Sequence, residues 1–373
     1  MPADRDAPRG WPPAFGRGRG EAEALVALST LKGLKPLALH ALAWKEGSAA
    51  SCVRAIGRGV AGSRGDREQL RRVEPATLLA VLHACGGRLV RPGDREYVAR
   101  LEDLPDPPAV LFVRGRPLRS RDDRVSIVGS RRCSALGEEV ALALGAALGG
   151  AGVWVVSGAA RGIDAAAHRG ALAAGGPTLA VLGAGIDVRY PRASASLLER
   201  IATEGTIVSE YPPGTPVEPM RFPARNRLVA ALGRALVVVE GAGKSGSMIS
   251  VEHALELGRD VFAVPGPVTS PLSEVPLALI REGATMIRGA DDLFDDLSIA
   301  TLRSESFTLP DLPPDEARVY GVLAAASLPD VVARSAGMSI PEAVSILLRL
   351  ELRGLVRSSA GRYERRLVAT GRP

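Results

Sequence analysis

The chain has 373 residues, 46% of them hydrophobic, enough for two or three domains with cores of their own. Its net charge of +6 suits a polyanionic partner such as nucleic acid. Three cysteines (Cys52, Cys85 and Cys133) without CxxC spacing exclude a disulfide framework and a zinc site, and point to a reducing cytoplasmic setting. No apolar run approaches a membrane span, and Met1–Gly20 lacks the apolar centre of a signal peptide, so no membrane partner is expected.

Met1–Gly20, rich in Pro, Gly and Arg, reads as a disordered tail. Residues 21–104 carry a helical pattern broken by short Gly/Ser stretches. Within it Leu31-Lys32-Gly33-Leu34-Lys35-Pro36 is similar to a helix–hairpin–helix, which makes this a small SAM-like helical domain. Lys35 replaces the second glycine of such a turn, so a structural role is expected there in place of direct DNA contact.

From Val125 the pattern changes. Apolar runs Val125–Val128, Val153–Val156, Thr178–Leu182, Thr206–Val208, Leu236–Val239 and Val261–Val264 alternate with Ala/Leu-rich helical segments. Continuous apolar strands mean that both sheet faces are covered, so residues 105–297 are expected to form an α/β domain with a doubly wound, mostly parallel sheet. Ligands of such sheets lie beyond the carboxyl ends of the strands. Those ends deliver Gly129-Ser130-Arg131, the segment Ser157–Asp164 with Gly158 and Arg161, Gly183-Ala184-Gly185 and the loop Gly241–Ser247.

The last of these is the densest signal. In ALVVVEGAGKSGSMISVE (235–252) a buried strand breaks into glycines, serines and one lysine, followed by a helix over Met248–Leu257 that Ser245 and Ser247 could cap. A Gly-rich turn at a helix N-terminus presents unpaired N–H groups beside a positive dipole, a setting for phosphate. A Walker A loop is absent, since Val238 stands where its first glycine belongs. Gly241, Gly243 and Gly246 spell a dinucleotide pattern, but the nearby acid, Asp260, precedes the next strand and lies at the wrong edge. Lysine occurs only at 32, 35, 45 and 244 among 47 basic residues; Lys244 stands in the loop either by chance or because a compact ammonium fits a phosphate there where a planar fork would not. Upstream, Arg225-Asn226-Arg227 adds two guanidinium groups that could reach the same crevice or brace the strand ends at Glu210 and Glu240.

Residues 298–314 read as a linker. Three short helices over Asp315–Ala326, Pro329–Ala336 and Ile340–Arg353 precede a Gly-centred hairpin over Leu355–Glu364, an order that resembles a winged helix over residues 315–366, with a tail at 367–373. The start of its third helix (Ser339, Pro341, Glu342, Ser345) offers no Arg, Asn or Gln for base edges, so a protein-contact or accessory role is expected.

VGSRRCSALG (128–137), VVSGAARGIDAAAHRGAL (155–172), GAGIDVRYP (183–191), SEYPPGT (209–215), FPARNRLVA (222–230), KSGSMIS (244–250) and GRDVFAVPG (258–266) together resemble the DprA/Smf family. The resemblance runs from about Glu21 to Arg365. It implies a Rossmann-like domain that binds single-stranded DNA, forms a homodimer, and loads RecA recombinase onto DNA taken up in natural transformation. Two blocks depart from the family pattern: residues 273–280 lack a Gly and an Asn, and Ala231-Leu232-Gly233 stands where the family has Gly-Leu-Ser.

The rival reading is an enzyme on the same sheet. Nucleoside-monophosphate phosphoribohydrolases carry a catalytic Glu at the corresponding loop, where this chain has Ser250; Glu252 lies on another face of the helix. Asp164 and His168, at i,i+4, read as a helix-start acid and a packing histidine, not as an acid–base pair. The expected function is therefore non-catalytic binding of single-stranded DNA without cofactor or metal. Arg131, Arg161, Arg225, Arg227 and Lys244 are expected to meet phosphates, with Ser130, Gly158, Gly243, Ser245, Gly246 and Ser247 supplying further donors. Aromatics make up only 4%, which argues against an extended stacking platform.

Overall fold

The apolar runs of the middle of the chain pair in the computed structural model, which describes residues 9–119, 123–243, 246–299, 312–323, 326–359 and 361–365. Two compact units result, Met1–Asp295 and Asp296–Pro373.

The larger unit is built on one sheet. In chain order its strands are β1 (Gly87–Val90), β2 (Leu111–Gly115), β3 (Arg124–Val128), β4 (Trp154–Ser157), β5 (Thr178–Leu182), β6 (Thr206–Ser209), β7 (Ala235–Val238), β8 (Asp260–Ala263) and β9 (Thr285–Met286). Across the sheet they run β1-β2-β6-β5-β4-β3-β7-β8-β9. Neighbours from β6 to β9 are parallel, while β1 and β2 add an antiparallel edge. Alternate residues of β5 enter different cores, Leu179 and Val181 on one face and Ala180 and Leu182 on the other. Burial on both faces is the reason the strands read as unbroken apolar runs. The strand order reverses between β3 and β7, and the crevice beyond their carboxyl ends is the topological switch point where such sheets hold ligands.

Helices α1 (Glu21–Ser29), α2 (Pro36–Glu46), α3 (Ala49–Gly57), α4 (Arg64–Arg72) and α5 (Pro75–Ala84) precede the sheet. The following chain adds α6 (Ala135–Gly150), α7 (Ile163–Ala173), α8 (Ala195–Glu204), α9 (Arg221–Leu232), α10 (Ser247–Glu256), α11 (Glu274–Arg281) and α12 (Ala290–Asp296). α6 and α7 pack so closely that a β-carbon on Gly170 would sit 2.0 Å from the Leu142 carbonyl oxygen, so small residues are required there. Among the described residues no single helix is long and apolar enough to cross a membrane.

Three expectations change. Residues 9–20 are not a free tail: Phe15 is 1% exposed, Trp11 stacks on it at 4.2 Å, and the Gly16 N–H donates to Glu21 at 2.9 Å. Two aromatics four residues apart give this Pro/Gly-rich stretch enough apolar surface to pack, and composition alone hides them. The helical segment does not end as a separate module at Leu104, because β1 pairs with β2 and joins the main sheet. Finally, α10 begins at Ser247 with Gly246 as N-cap and no side-chain cap bond, so Ser247 lies inside the helix. Ser245, the other expected cap, falls outside the described residues.

The turn amide of the α1–α2 connection is bonded within the protein. The Gly33 N–H donates to Asp66 at 2.8 Å, and Asp66 also closes a capping box with Ser63 at the start of α4. An internal carboxylate thus takes the amide that a helix–hairpin–helix would turn to phosphate.

The second unit contains α13 (Pro314–Val322), α14 (Pro329–Ala336), α15 (Ile340–Leu352) and a hairpin of β10 (Val356–Ser359) and β11 (Arg362–Arg365), around a core that includes Val319, Val332 and Leu347. Ser327 bridges to Tyr363, completing a winged-helix arrangement. Ser339 and Glu342 form the capping box of α15, so the first polar groups of this helix are committed to its own end. Most of the expected linker lies outside the described residues.

Candidate functional site

The β4–α7 connection carries the first half of the site. Ser157, the last residue of β4, is buried and its hydroxyl donates to the Ile127 carbonyl at 2.7 Å, tying the ends of β3 and β4 together. Two residues on, Ala159 adopts φ +54, a left-handed conformation that costs a non-glycine residue about 1 kcal/mol. Gly162 follows at φ +76, where a β-carbon would lie 2.3 Å from the Ser130 carbonyl oxygen. That carbonyl also accepts the Ile163 N–H at 3.2 Å, which starts α7 against the β3 end. The strained turn presents Arg161 to solvent, and the β3 end presents Arg131 likewise. The Ser130 hydroxyl accepts the Arg132 N–H at 3.1 Å and retains its own hydrogen to donate.

α9 supplies the second half. Arg225 is 4% exposed, and its guanidinium lies against Gly158 so tightly that a β-carbon there would sit 1.5 Å from Nη1. Burial pulls this guanidinium down to about 10, against the opposing effect of the Asp164 carboxylate, so it stays charged at neutral pH. Among the described residues its Nε has no hydrogen-bond partner. Arg225 forms part of the floor of a cavity of about 60 Å³, whose mouth is set by Arg131, Arg161, Tyr190 and Phe222. Phe222 receives the Arg131 guanidinium over its ring at 4.9 Å, and Tyr190, 46% exposed, sits beside it at 5.8 Å between ring centroids. The two rings were not among the expected site residues. The blocks GAGIDVRYP and FPARNRLVA contain them, but low aromatic content directs attention away.

Arg227, two residues along α9, faces elsewhere. It is 6% exposed and makes ion pairs with Glu210 at 2.8 Å and Asp106 at 3.1 Å. These two carboxylates outweigh its burial and hold the guanidinium above its ordinary value. This arginine braces the β6 end against the segment before β2, and it is withdrawn from the phosphate-meeting set.

The Gly-rich loop after β7 is held by its neighbours. Gly241 donates to the Leu272 carbonyl at 2.7 Å and accepts the Val275 N–H at 3.0 Å. The Gly243 N–H, expected to be free for phosphate, donates to Glu274 at 2.9 Å. The Gly246 carbonyl accepts from Asn226 at 3.1 Å, and Ser247 is 6% exposed. Lys244 and Ser245 lie outside the described residues. Glu240 turns to the other side, where its carboxylate accepts the Ser134 N–H at 2.9 Å and the Ser134 hydroxyl at 2.5 Å at the start of α6.

The structure therefore brings Arg131, Gly158, Arg161 and Arg225 to one cavity at the β3 and β4 ends. Asp164 and His168, the two groups at i,i+4, are both buried. Asp164 accepts the Ala160 N–H at 3.3 Å, and the fully buried His168 places Nδ1 2.6 Å from the Thr178 hydroxyl.

Comparison with known proteins gives a consistent picture. The family described as DNA recombination-mediator protein A matches residues 88–298, and the DprA winged helix domain matches residues 304–362. The putative DNA processing protein DprA of Mycobacterium tuberculosis is 38% identical over 331 residues, covering 83% of this chain and 84% of that protein. The crystal structure of DprA from Streptococcus pneumoniae superposes with a TM-score of 0.60 at 32% identity, covering 74% of this chain and 96% of its own. DprA from Helicobacter pylori, whose structure reports its single-stranded DNA binding mode, superposes at 0.51 with 26% identity, covering 57% of this chain and 95% of its own.

Proposed function

The chain belongs to the DprA/Smf family of DNA recombination mediators, and from that membership we propose that it binds single-stranded DNA at the β3–β4 cavity. The observation that carries the reading is the buried, charged Arg225 in the cavity floor, its Nε without a partner among the described residues, with exposed Arg131 and Arg161 at the mouth. A cation whose desolvation is only partly offset by Asp164 favours an anion entering from solvent. Phosphate enters, and the Phe222 and Tyr190 rings offer a face to one base. Ser130 adds a hydroxyl donor, and Lys244 from the Gly-rich loop adds a further cation.

In this role the protein works by binding, without catalysis. Phosphoribohydrolysis would need a carboxylate where Ser250, 2% exposed, stands. We further propose that the protein acts in the cytoplasm as a homodimer that delivers single strands to RecA recombinase during natural transformation. The departures at 273–280 fall beside the Gly-rich loop and tune its contacts, with the sheet itself unaffected.

The test is fluorescence anisotropy with single- and double-stranded oligonucleotides of equal length, without nucleotide. A preference for the single strand is expected, with a slope of log K against log salt of roughly −2 to −3 for three or four phosphates neutralised. Arg161→Ala makes that slope shallower by about 0.7, equally on poly-dT and mixed sequence. Equal binding of both forms, together with release of free base from nucleoside monophosphates, would overturn the reading in favour of the enzyme. Filament assembly by RecA on strands coated with a single-strand-binding protein, and sedimentation of the purified chain, test the partner and the dimer.

A further inference from the structure

The segment that carries Phe222 and Arg225 into the cavity has a second side. Val217, Phe222 and Arg225 line the cavity, whereas Pro216, Met220, Arg221 and Ala224 line a larger groove of about 920 Å³ bounded by the N-terminal helices. The two spaces thus share one wall.

The far wall of the groove is cationic. It includes Lys32 and Lys35 from the α1–α2 connection and Arg72 from the end of α4. Lys32 reaches Glu218 at 3.7 Å, and Glu218 is also held by Arg221 at 3.0 Å. Glu210, a further acid of the groove, is spent on Arg227. Lys35 and Arg72 are exposed and have no acidic partner among the described residues, while Glu74 is the remaining acid. The floor is apolar, with Leu31, Leu34 and Leu78, and Tyr211 lies beneath the Arg221 guanidinium at 5.0 Å. Met220, 75% exposed, stands on the shared wall.

We propose that a single strand seated in the Arg225 cavity continues over Met220 and Arg221 into this groove, where Lys35 and Arg72 meet its phosphates and the apolar floor receives a base. The inference rests on the single-strand reading of the cavity and extends it to the N-terminal helices. Charge selects the occupant, because the uncommitted groups on the far wall are mainly cations and only the wall formed by residues 216–225 separates the groove from a site for a polyanion. The Gly33 amide of the same connection takes no part, since Asp66 holds it. The Lys35 side chain thereby acquires a role that the Gly33 amide of the same turn does not have.

The experiment compares labelled oligo-dT of about 6 and about 16 nucleotides, spanning the range of single-strand site sizes. In the wild type the longer strand binds more tightly and with a steeper salt slope. In Lys35→Glu/Arg72→Glu the long-to-short affinity ratio falls about tenfold and the long-strand slope becomes shallower by about 1.4. The milder Lys35→Gln/Arg72→Gln pair, with circular dichroism and melting followed alongside, gives the same direction without charge reversal. An unchanged ratio in both variants overturns the proposal and leaves the groove to a protein partner. Equal weakening of both lengths overturns it as well, because the groove would then not be a separate arm of the path. Arg161→Ala, measured in parallel, lowers affinity for both lengths. If Arg161→Ala changes neither while the groove variants act on the longer strand, the cavity assignment fails and the groove assignment stands.

Discussion

The Glu274 carboxylate accepts the Gly243 N–H at 2.9 Å, so an acidic side chain occupies an amide that the Gly-rich loop would otherwise turn to phosphate. Glu274 opens α11, and the backbone bonds between Gly241 and residues 272 and 275 bring it onto the loop. A β-carbon at position 243 would come within 2.5 Å of that carboxylate, so glycine there is what admits it. A phosphate approaching this amide meets a like charge before it meets a donor.

Glu274→Ala is therefore expected to raise affinity for single strands about two- to fivefold, the effect of removing one exposed like charge. The change loses one exposed hydrogen bond and a favourable charge in the first turn of α11, so stability falls by about 1 kcal/mol or less. Anisotropy at fixed salt reads the first effect and urea unfolding the second. Weaker binding by this variant would mean that Glu274 holds the loop in its DNA-competent shape.

Arg227→Ala separates a brace from a ligand. Removing the guanidinium leaves Glu210 and Asp106 facing each other without a counter-charge, one of them largely buried. Loss of one partner of a buried pair costs about 3 kcal/mol or more. The expected result is a clear drop in melting temperature, with residual folded protein binding DNA normally below the transition. A variant as stable as the wild type but defective in binding would return Arg227 to the DNA site.

These two residues also show where sequence reading reaches and where it stops. Strands β3 to β8 are legible because burial on both faces makes each an unbroken apolar run. Strands β1 and β9 are the edges of the sheet, and β9 has only two residues, both exposed, so no run marks it. Arg131 and Arg161 are legible as residues of the cavity because the sheet rule directs attention to strand ends. Arg225 and Arg227 are not separable in sequence: two positions along a helix differ by roughly 200°, and which face meets the strand ends depends on packing. Glu274 is hidden for a simpler reason, since its contact with Gly243 spans 31 positions and exists only once α11 has docked. Phe15 shows the opposite failure, where composition suggests a tail and two spaced aromatics suffice to fold it down.

His168 predicts a pH dependence of stability. The Thr178 hydroxyl donates to the Val155 carbonyl at 2.9 Å, so it accepts from His168 Nδ1, which therefore carries the proton of the neutral ring. Nε2 is buried without a partner among the described residues, and burial pushes the imidazole down to about 3 from an ordinary 6.5. Between those values the unfolded chain binds a proton that the folded chain refuses. Stability from this group is complete above about pH 6.5 and is lost as pH falls, by up to about 1.4 kcal/mol per pH unit until about pH 3. Burial raises the Asp164 carboxyl and acts with the opposite sign, but it is present in wild type and variant alike. Urea unfolding of wild type and His168→Gln from pH 7.5 to 5 should show a shallower decline in the variant (a window set by the titration range above). Parallel declines would mean that His168 is protonated within the fold.

Gly158→Ala tests the cavity floor without removing any charge. A β-carbon at this position would lie 1.5 Å from Arg225 Nη1 and 2.3 Å from Cζ, so the guanidinium cannot keep its place. The residue's backbone φ is not in the left-handed region, so the chain itself accepts alanine, and the three atoms nearest the added carbon all belong to the arginine. Displaced from the floor, Arg225 moves away from the Asp164 carboxylate that offsets part of its burial cost. Loss of one charge-assisted contact to phosphate is worth about 1.5–3 kcal/mol, a tenfold or greater loss of single-strand affinity. The arginine is still present in the chain, so this loss should come with a salt slope shallower by up to about 0.7, as if the cation had been deleted. Stability should fall only modestly, by about 1–3 kcal/mol, because the added methyl overpacks one contact and leaves the sheet intact. Anisotropy at several salt concentrations, with melting measured on the same samples, checks all three. Wild-type affinity and slope in a folded Gly158→Ala protein would show that phosphate does not depend on Arg225 at the cavity floor, and the single-strand path would have to run through Arg131 and Arg161 alone.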